Sequence, residues 1–525
     1  MAMKKPILQD SARIGIVNRG EAAIRFIRAV RDFNRLKGTD LKTVAFYTER
    51  EKDALFSREA DFAFLLNEMP SFKTGKGSPY LDRALMLESL KISGAEAVWV
   101  GWGFLSEDAE FAARVEGEGL VFLGPSSAAM ALLGDKIAAK ELAERTRVPI
   151  CPWSRGVVAS LEDAKEIAKQ IGYPVIIKAA NAGGGRGIRF VLKPEELPSQ
   201  YRSAVEETLR ITGNTVVFIE RLVQRGRHLE VQVLADRHGN VKTFGVRDCS
   251  VQRKNQKIIE ETPPPGFPKE TIREMEAAAL RLTKEAGYES AGTVEFLYDL
   301  DRDEFYFMEV NTRLQVEHPI TEQLYGVDLV QGQIRVARDE SISDWALEPR
   351  GAVLEVRLNA EDPKRDFRPA PGHVFRFRSP AGPGIRTDSG IDQGSDIPPE
   401  FDSMVAKIIA SGPDRSTALS RLEGALIELR ICIDGGTTNR AFLLGLLQEP
   451  AIRKGGVHTR FVEELLASGR EIIKTPDWDA ALSIAAVERY LARTQEELSN
   501  FTQQMFTFGS PRDLHRGIGY EVEVS

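Results

Sequence analysis

The stretch Thr293–Glu317, TVEFLYDLDRDEFYFMEVNTRLQVE, decides how this chain is read. Two runs rich in β-branched and aromatic residues, Thr293–Leu297 and Phe305–Asn311, flank the polar turn Asp299–Glu304. They predict an antiparallel hairpin centred near Arg302, with Glu295 set opposite Glu309. Side chains alternate along a strand, so Glu309, Asn311 and Arg313 are expected on one face and the Phe and Val residues on the core face. Two carboxylates and an amide oxygen are hard donors suited to Mg²⁺, which typically binds through one or two carboxylates plus substrate phosphates. Glu295 alone would read as a solvated acid. The whole set reads as a lined site, because Glu309–Arg313 runs on into Gln315-Val316-Glu317-His318-Pro319.

Upstream, the apolar run Val175-Ile176-Ile177-Lys178 leads into Ala182-Gly183-Gly184-Gly185-Arg186-Gly187-Ile188. Clustered glycines let backbone N–H groups cradle phosphate oxygens, and Lys178 and Arg186 add positive charge. This is not a Walker loop, which would place Gly-Lys-Ser/Thr at the start of a helix. A flexible hairpin turn is the plain alternative, and the strand-borne lysine favours the nucleotide reading.

The chain opens as α/β. Strand Arg13–Val17, helix Ala22–Phe33 and strand Thr43–Tyr47 follow at βαβ spacing, with Ala97–Val100 and Leu120–Leu123 as further buried strands. The first turn lacks GxGxxG, so a nicotinamide site has no support. Val148-Pro149-Ile150 and Pro152 mark a boundary, and a small unit runs from there to about Val223. A strand-rich region follows, with strands at Leu229–Ala235, Val241–Val246, Thr293–Tyr298, Phe305–Val310 and Ala352–Asn359. Beyond about Ala467 the pattern changes to a helix over Asp479–Met505 and an alternating run Tyr520–Val524. Ending inside that run leads us to expect a fragment of a longer polypeptide.

Composition narrows the function classes. The 525 residues have room for roughly three domains. With 70 Lys and Arg against 77 Asp and Glu, the net charge of −7 argues against general nucleic-acid or anionic-membrane binding. No apolar run approaches a spanning helix, and Met1–Asp10 lacks a signal-peptide core. The three cysteines lie far apart without metal-ligand or disulfide spacing, so a reduced, cytoplasmic enzyme is expected.

Taken in order, these segments resemble the biotin carboxylase component of biotin-dependent carboxylases, a branch of the ATP-grasp superfamily. The resemblance runs through Ala12–Arg25 (ARIGIVNRGEAAIR), Gly101–Glu107 (GWGFLSE), Gly134-Asp135-Lys136, Gly183–Gly187 and Glu230–Val233. It continues in Arg247–Ser250, Gln256-Lys257, Glu309–Glu317 (EVNTRLQVE) and Arg357–Asp362, and covers about residues 12–465. The implied fold mixes α/β and α+β parts. A Rossmann-like pre-ATP-grasp domain (1–123) and a helical linker (124–150) precede an ATP-grasp lid (151–222). A C-terminal domain (223–465) and a linker or the start of a further domain (466–525) follow.

The resemblance also implies roles. Lys136, Lys178 and the loop Gly183, Gly184, Gly185, Arg186 and Gly187 hold ATP phosphates. Glu220 and Leu222 match the adenine segment, and His228, Gln252 and the Asn255 position match other nucleotide contacts. Glu295, Glu309 and Asn311 match the Mg²⁺ or Mn²⁺ ligands. Arg313, Gln315 and Val316 resemble the bicarbonate set, with Lys257 near bicarbonate and phosphate. Glu317 matches the general base, and Arg357 the group that stabilises the biotin enolate. Biotin would arrive on a carboxyl carrier domain, and a carboxyltransferase would follow, both on another chain or beyond residue 525. A homodimer through the N- and C-terminal regions, away from the lid, is also implied.

Several positions depart from the family pattern. Asn255 stands where His usually precedes Gln-Lys, Trp99-Val100-Gly101-Trp102-Gly103 replaces His-Pro-Gly-Tyr-Gly, and Arg221 replaces Lys after Glu220. Ala2-Met3-Lys4 echoes a biotinylation motif but has no room for a carrier domain before it. The expected activity is the first half-reaction of a carboxylase, acting in the end on an acyl-CoA, pyruvate or urea, with acyl-CoA favoured. Another ATP-grasp carboxylate–amine ligase and a non-catalytic nucleotide-binding scaffold are the competing readings. A plainer view makes Arg313–Glu317 and Arg357–Glu361 surface ion pairs worth under about 1 kcal/mol each.

Overall fold

The computed structural model describes residues 6–508 except 74, 76, 181–186, 346–347 and 474–477. Side chains of 212, 478–485 and 504–508 also lie outside the description. The chain forms two compact units, one ending at Arg470 and the other beginning at Glu471.

In the first unit, Arg13–Ile16 is the central strand of a five-stranded parallel sheet. It pairs with Lys42–Tyr47 and Ala97–Trp99, with Phe62–Leu65 and Val121–Phe122 at the edges. Ligand crevices in such sheets lie beyond the carboxyl ends of the strands, where the chain order switches. Here Asn18 bridges that switch, its Nδ2 donating to the carbonyls of Val100 (2.6 Å) and Trp102 (2.7 Å). A Cβ on Gly101 would lie 2.3 Å from the Trp99 ring, so the indole that replaces the family's histidine fits only beside glycine.

The segment expected as a lid forms a three-stranded antiparallel sheet, Ile188–Val191, Val175–Ala179 and Val217–Arg221, backed by helices Leu161–Ile171 and Leu197–Thr212. It buries its own core of Val175, Ile177, Val191, Ala204, Val217 and Ile219. Gly183, Gly184, Gly185 and Arg186 lie outside the described residues.

The largest sheet has eight antiparallel strands. Their order is Glu304–Asn311, Ser290–Asp299, Gly226–Ala235, Val241–Arg253, Gln256–Thr262, Ala352–Asn359, Met404–Gly412 and Ile385–Ser389. Three of these, Gln256–Thr262, Met404–Gly412 and Ile385–Ser389, are not expected from the sequence. One hydrophobic core joins this sheet to the parallel one, running from Ile14, Ile16 and Phe26 to Leu234, Phe244 and Leu329.

The hairpin has the expected register, with Glu295 opposite Glu309 and Val294 opposite Val310. Simple alternation does not hold along it. A bulge pairs Phe296 with Phe307, so Met308 is an extra residue that reverses the alternation. Without it Glu309 would share the core face of Phe305 and Phe307; with it the acid turns to the site.

The second unit contains the helix Trp478–Phe508, close to the expected span. It exposes Val487, Tyr490, Leu491 and Leu498. The run Tyr520–Val524 lies outside the described residues, as does Ala2-Met3-Lys4. Among the described residues no helix is long and apolar enough to cross a membrane.

Candidate active site

The hairpin and the strands beside it deliver a chain of charged contacts. Lys257 Nζ lies 2.7 Å from Glu230 Oε2, 3.1 Å from Glu295 Oε1 and 2.6 Å from Glu317 Oε1. Glu317, with no exposed surface, receives Arg357 Nη2 on its other oxygen at 3.0 Å. Arg357 Nε in turn donates to Glu260 Oε1 at 2.7 Å. From the opposite end, Arg313 donates to Gln315 Oε1 (3.0 Å) and Asn311 Oδ1 (3.2 Å). Gln315 Nε2 then donates to Glu295 at 3.2 Å. The plain ion-pair view is therefore corrected: Arg313 pairs with Glu107 at 3.2 Å, not with Glu317, and Arg357 pairs with Glu260 and Glu317, not with Glu361. The i,i+4 spacing suggested a local pair, but the helix begins only at His318, so no helical turn joins Arg313 to Glu317.

Burial and charge set the protonation of this cluster. Burial alone would raise the Glu317 carboxyl, but Lys257, Arg357 and Arg247 hold it well below the usual carboxylate range. Burial works against the charge on Lys257, yet Glu230, Glu295 and Glu317 raise it well above an ordinary lysine. His228 Nε2 lies 3.2 Å from Glu295, and its Nδ1 is 2.9 Å from Gln252 Nε2. The trios His228–Glu230–Glu295 and Glu230–Cys249–Glu317 are close enough to hold a cation. The Lys257 ammonium touches Glu230, Glu295 and Glu317, so it brings positive charge to both trios.

A second cluster faces the lid. Lys178 pairs with Glu220, and so does Lys140 Nζ, at 2.9 Å. Burial raises the Glu220 carboxyl, but Lys140 and Lys178 outweigh it and bring it to about 2. Lys140 was missed by sequence reasoning because KIAAKELAER reads as an ordinary amphipathic helix. Lys136, just after the N-cap Asp135, places Nζ 3.0 Å from Glu309 Oε2. Leu222 follows the Val217–Arg221 strand and donates its N–H to the Pro174 carbonyl. Gly187 closes the loop in the left-handed region (φ 69°).

Glu295, Glu309 and Asn311 suit a divalent cation. They are oxygen donors on one face of the hairpin, and the Glu309 side chain is 37% exposed beside Lys136. Asn255 is exposed at the tip of a two-residue turn, with Arg253 paired to Gln256. Both turn residues have positive φ (Lys254 48°, Asn255 65°), a conformation asparagine tolerates well. Its position is thus explained by turn chemistry.

Beside Glu317 opens a cavity of about 330 Å³ lined by Asn18, Arg19, Trp102, Gln256, Val316 and Arg357, among others. Trp102 lies against the His318 ring (5.4 Å between centroids), and Lys407 Nζ sits 4.8 Å from the Trp102 ring centre. Lys407 also donates to the Val316 carbonyl at 2.9 Å.

A strand-borne lysine paired with a buried glutamate, together with a sheet that carries paired acids and a buried Glu–Arg contact, is the arrangement expected of an ATP-grasp ligase. The family models agree along the chain: biotin carboxylase N-terminal domain over residues 10–130, carbamoyl-phosphate synthase L chain ATP-binding domain over 135–344, and biotin carboxylase C-terminal domain over 355–464. Biotin carboxylase 1 of Bacillus subtilis is 42% identical over 450 residues, covering 85% of this chain and 97% of its own. The alpha3 chain of a biotin-dependent acyl-coenzyme A carboxylase from Mycobacterium leprae is 41% identical over 459 residues, covering 86% of this chain and 74% of its own. The biotin carboxylase domain dimer of Hydrogenobacter thermophilus 2-oxoglutarate carboxylase, solved with MgADP and bicarbonate, superposes with a TM-score of 0.82 at 37% identity. That match covers 90% of this chain and all of the other. The chain belongs to the biotin carboxylase family.

Proposed function

We propose that the chain carboxylates carrier-bound biotin in the cytoplasm: ATP, bicarbonate and biotinyl carrier give ADP, phosphate and carboxybiotinyl carrier. The observation that carries this is the contact of Glu317 with both Lys257 and Arg357 at the wall of the Trp102 cavity. Lys136, Lys178 and the glycine loop bind the ATP phosphates. Glu220 and Leu222 face the adenine, and His228 and Gln252 the rest of the nucleotide. Mg²⁺ held by Glu295, Glu309 and Asn311 would neutralise phosphate charge.

Arg313, Gln315 and the Val316 backbone orient bicarbonate. Glu317 takes its proton, and a bicarbonate oxygen then attacks the γ-phosphorus as the bond to ADP breaks. The resulting carboxyphosphate divides into CO₂ and phosphate, and phosphate removes the ureido proton. Arg357 then donates to the anionic ureido oxygen, a task suited to a permanently charged, planar donor, while the ureido nitrogen attacks CO₂. Glu317 as it stands is a weak base, since Lys257, Arg357 and Arg247 hold it ionised. Bicarbonate must therefore draw Lys257 or Arg357 away before the proton moves.

The relatives pair this half-reaction with acyl-coenzyme A and 2-oxoglutarate carboxylases by name, so the site alone does not choose the final acceptor; acyl-CoA is our preferred one. We assign the segment from about 466 to a link toward the carrier, in keeping with a second compact unit from Glu471. The working form is a homodimer that meets a carboxyltransferase. The test is ADP release by the purified protein. It should require bicarbonate and rise on adding biotin or a biotinylated carrier. Release driven instead by an amine and a carboxylic acid would indicate an amide ligase, and no turnover at all would indicate a scaffold.

A further inference from the structure

Behind Arg357 lies an acid that the chemistry above leaves unused. Glu355 sits two residues before Arg357 on the strand Ala352–Asn359, and therefore on the same face of it. It lies directly opposite Glu260 on the neighbouring strand, and both are fully buried. On the other side, Arg357 lies opposite Lys407 and Glu355 opposite Ile409. Ile320 and Leu324 of the helix His318–Tyr325 pack with Val353 and Ile409 around this point, an apolar cover that keeps water away.

Hydrogen bonding is incomplete in a telling way. Glu260 Oε1 accepts from Arg357 Nε at 2.7 Å. Glu260 Oε2 and both oxygens of Glu355 have no donor among the described residues. Two buried carboxylates on the same face of adjacent strands repel strongly, and a single proton between them removes the repulsion and satisfies two of those three oxygens. Burial raises the Glu355 carboxyl far above its ordinary value. Lys407 and Arg357 oppose this, while Glu260 and Glu317 add to it. Glu260 is raised less, because Arg357 lies directly on it.

We infer that Glu355 is held as a neutral carboxylic acid whose proton bonds the free oxygen of Glu260, making Glu355 a positioning residue for Arg357. Glu260, fixed in this way, offers its other oxygen to Arg357 Nε. The guanidinium plane is then set so that Nη2 faces Glu317 and the cavity. No proton leaves this pair during turnover; its role is orientation. The inference rests on the reading of Arg357 as the group that meets the ureido oxygen, and the two can fail separately.

Infrared difference spectroscopy at neutral pH tests the protonation state without any turnover. The wild type minus Glu355→Gln spectrum should contain a protonated-carboxyl band that shifts in D₂O. Absence of that band means Glu355 is ionised and overturns the inference, whatever Arg357 does. Kinetics test the positioning. Glu355→Gln keeps an N–H donor toward Glu260 and should retain biotin-dependent turnover within about threefold. Glu355→Leu loses the donor and should drop kcat ~10-fold with KM for ATP unchanged, the scale of one buried hydrogen bond. Equal loss in both variants, or none in the Leu variant, would also overturn it. If the Leu variant does not fold, the Gln variant and the spectrum still decide.

Discussion

The guanidinium of Arg357 reaches Glu317, with Nη2 3.0 Å from Oε2, while Lys257 holds the other oxygen at 2.6 Å. Two cations drawn from two separate strands thus meet at one carboxylate. The pairing holds that carboxylate ionised, and in the function proposed above its release would depend on an anion that competes for the same cations. A carboxylate fully buried between cations would be a poor acceptor on its own; one that is freed by the incoming bicarbonate acts only when the substrate is in place.

Glu317→Gln should bind ATP as the wild type does and lose biotin-dependent ADP release by ~100-fold or more, the scale of a lost general base. ATP affinity by calorimetry and turnover by a coupled ADP assay separate the two effects. Turnover near wild type would remove Glu317 from the chemistry.

Arg357→Lys keeps the charge but cannot donate to Glu260 and Glu317 in one plane. We expect turnover lowered ~100-fold, as for loss of an oxyanion donor, with ATP binding retained. Recovery of most activity by lysine would show that charge alone suffices there.

Glu220 governs acid stability near the lid. Its folded carboxyl sits at about 2, below the ordinary value of 4.5. A depressed carboxylate stabilises the fold above its unfolded pKa and loses that contribution as pH falls through the folded one. Glu220→Gln should therefore cost on the order of 3 kcal/mol at neutral pH, shrinking between about pH 4.5 and 2. Urea unfolding of both proteins at neutral and acidic pH measures the difference. A constant difference across that window would contradict the assignment.

Trp102 lines the cavity and carries Lys407 against its ring. If the ureido ring meets Arg357 at this cavity, which Arg357 also lines, Trp102→Ala removes apolar wall beside it and KM for biotin should rise ~10-fold. Bicarbonate-dependent ATP cleavage measured without biotin should hold. Loss of both activities together would instead point to a collapsed site.

The sequence disclosed the hairpin, because Glu295, Glu309 and Asn311 interrupt otherwise apolar strands at matching distances from one turn. The bulge at Met308 had a trace in the residue pattern, since strict alternation would put Glu309 on the same face as Phe305 and Phe307. Lys140, Glu260, Glu355 and Lys407 stayed hidden. Each sits in an element whose charges look solvated when read alone, and only the stacking of strands shows that they face inward. Gln256–Thr262, QKIIEET, lacks the strand signal because its polar and apolar residues come in blocks and do not alternate. The strand Phe62–Leu65 is a short, partly exposed edge, too brief to carry a period.

The measurement that tests the central claim most directly follows oxygen. With bicarbonate labelled by oxygen-18 and turnover in the presence of biotin, attack of bicarbonate on the γ-phosphorus leaves one labelled oxygen in each phosphate released. We predict that transfer in the wild type, and its suppression together with turnover in Glu317→Gln. Unlabelled phosphate from an actively turning-over wild type would mean that water attacks ATP, and the reading of this site would be wrong.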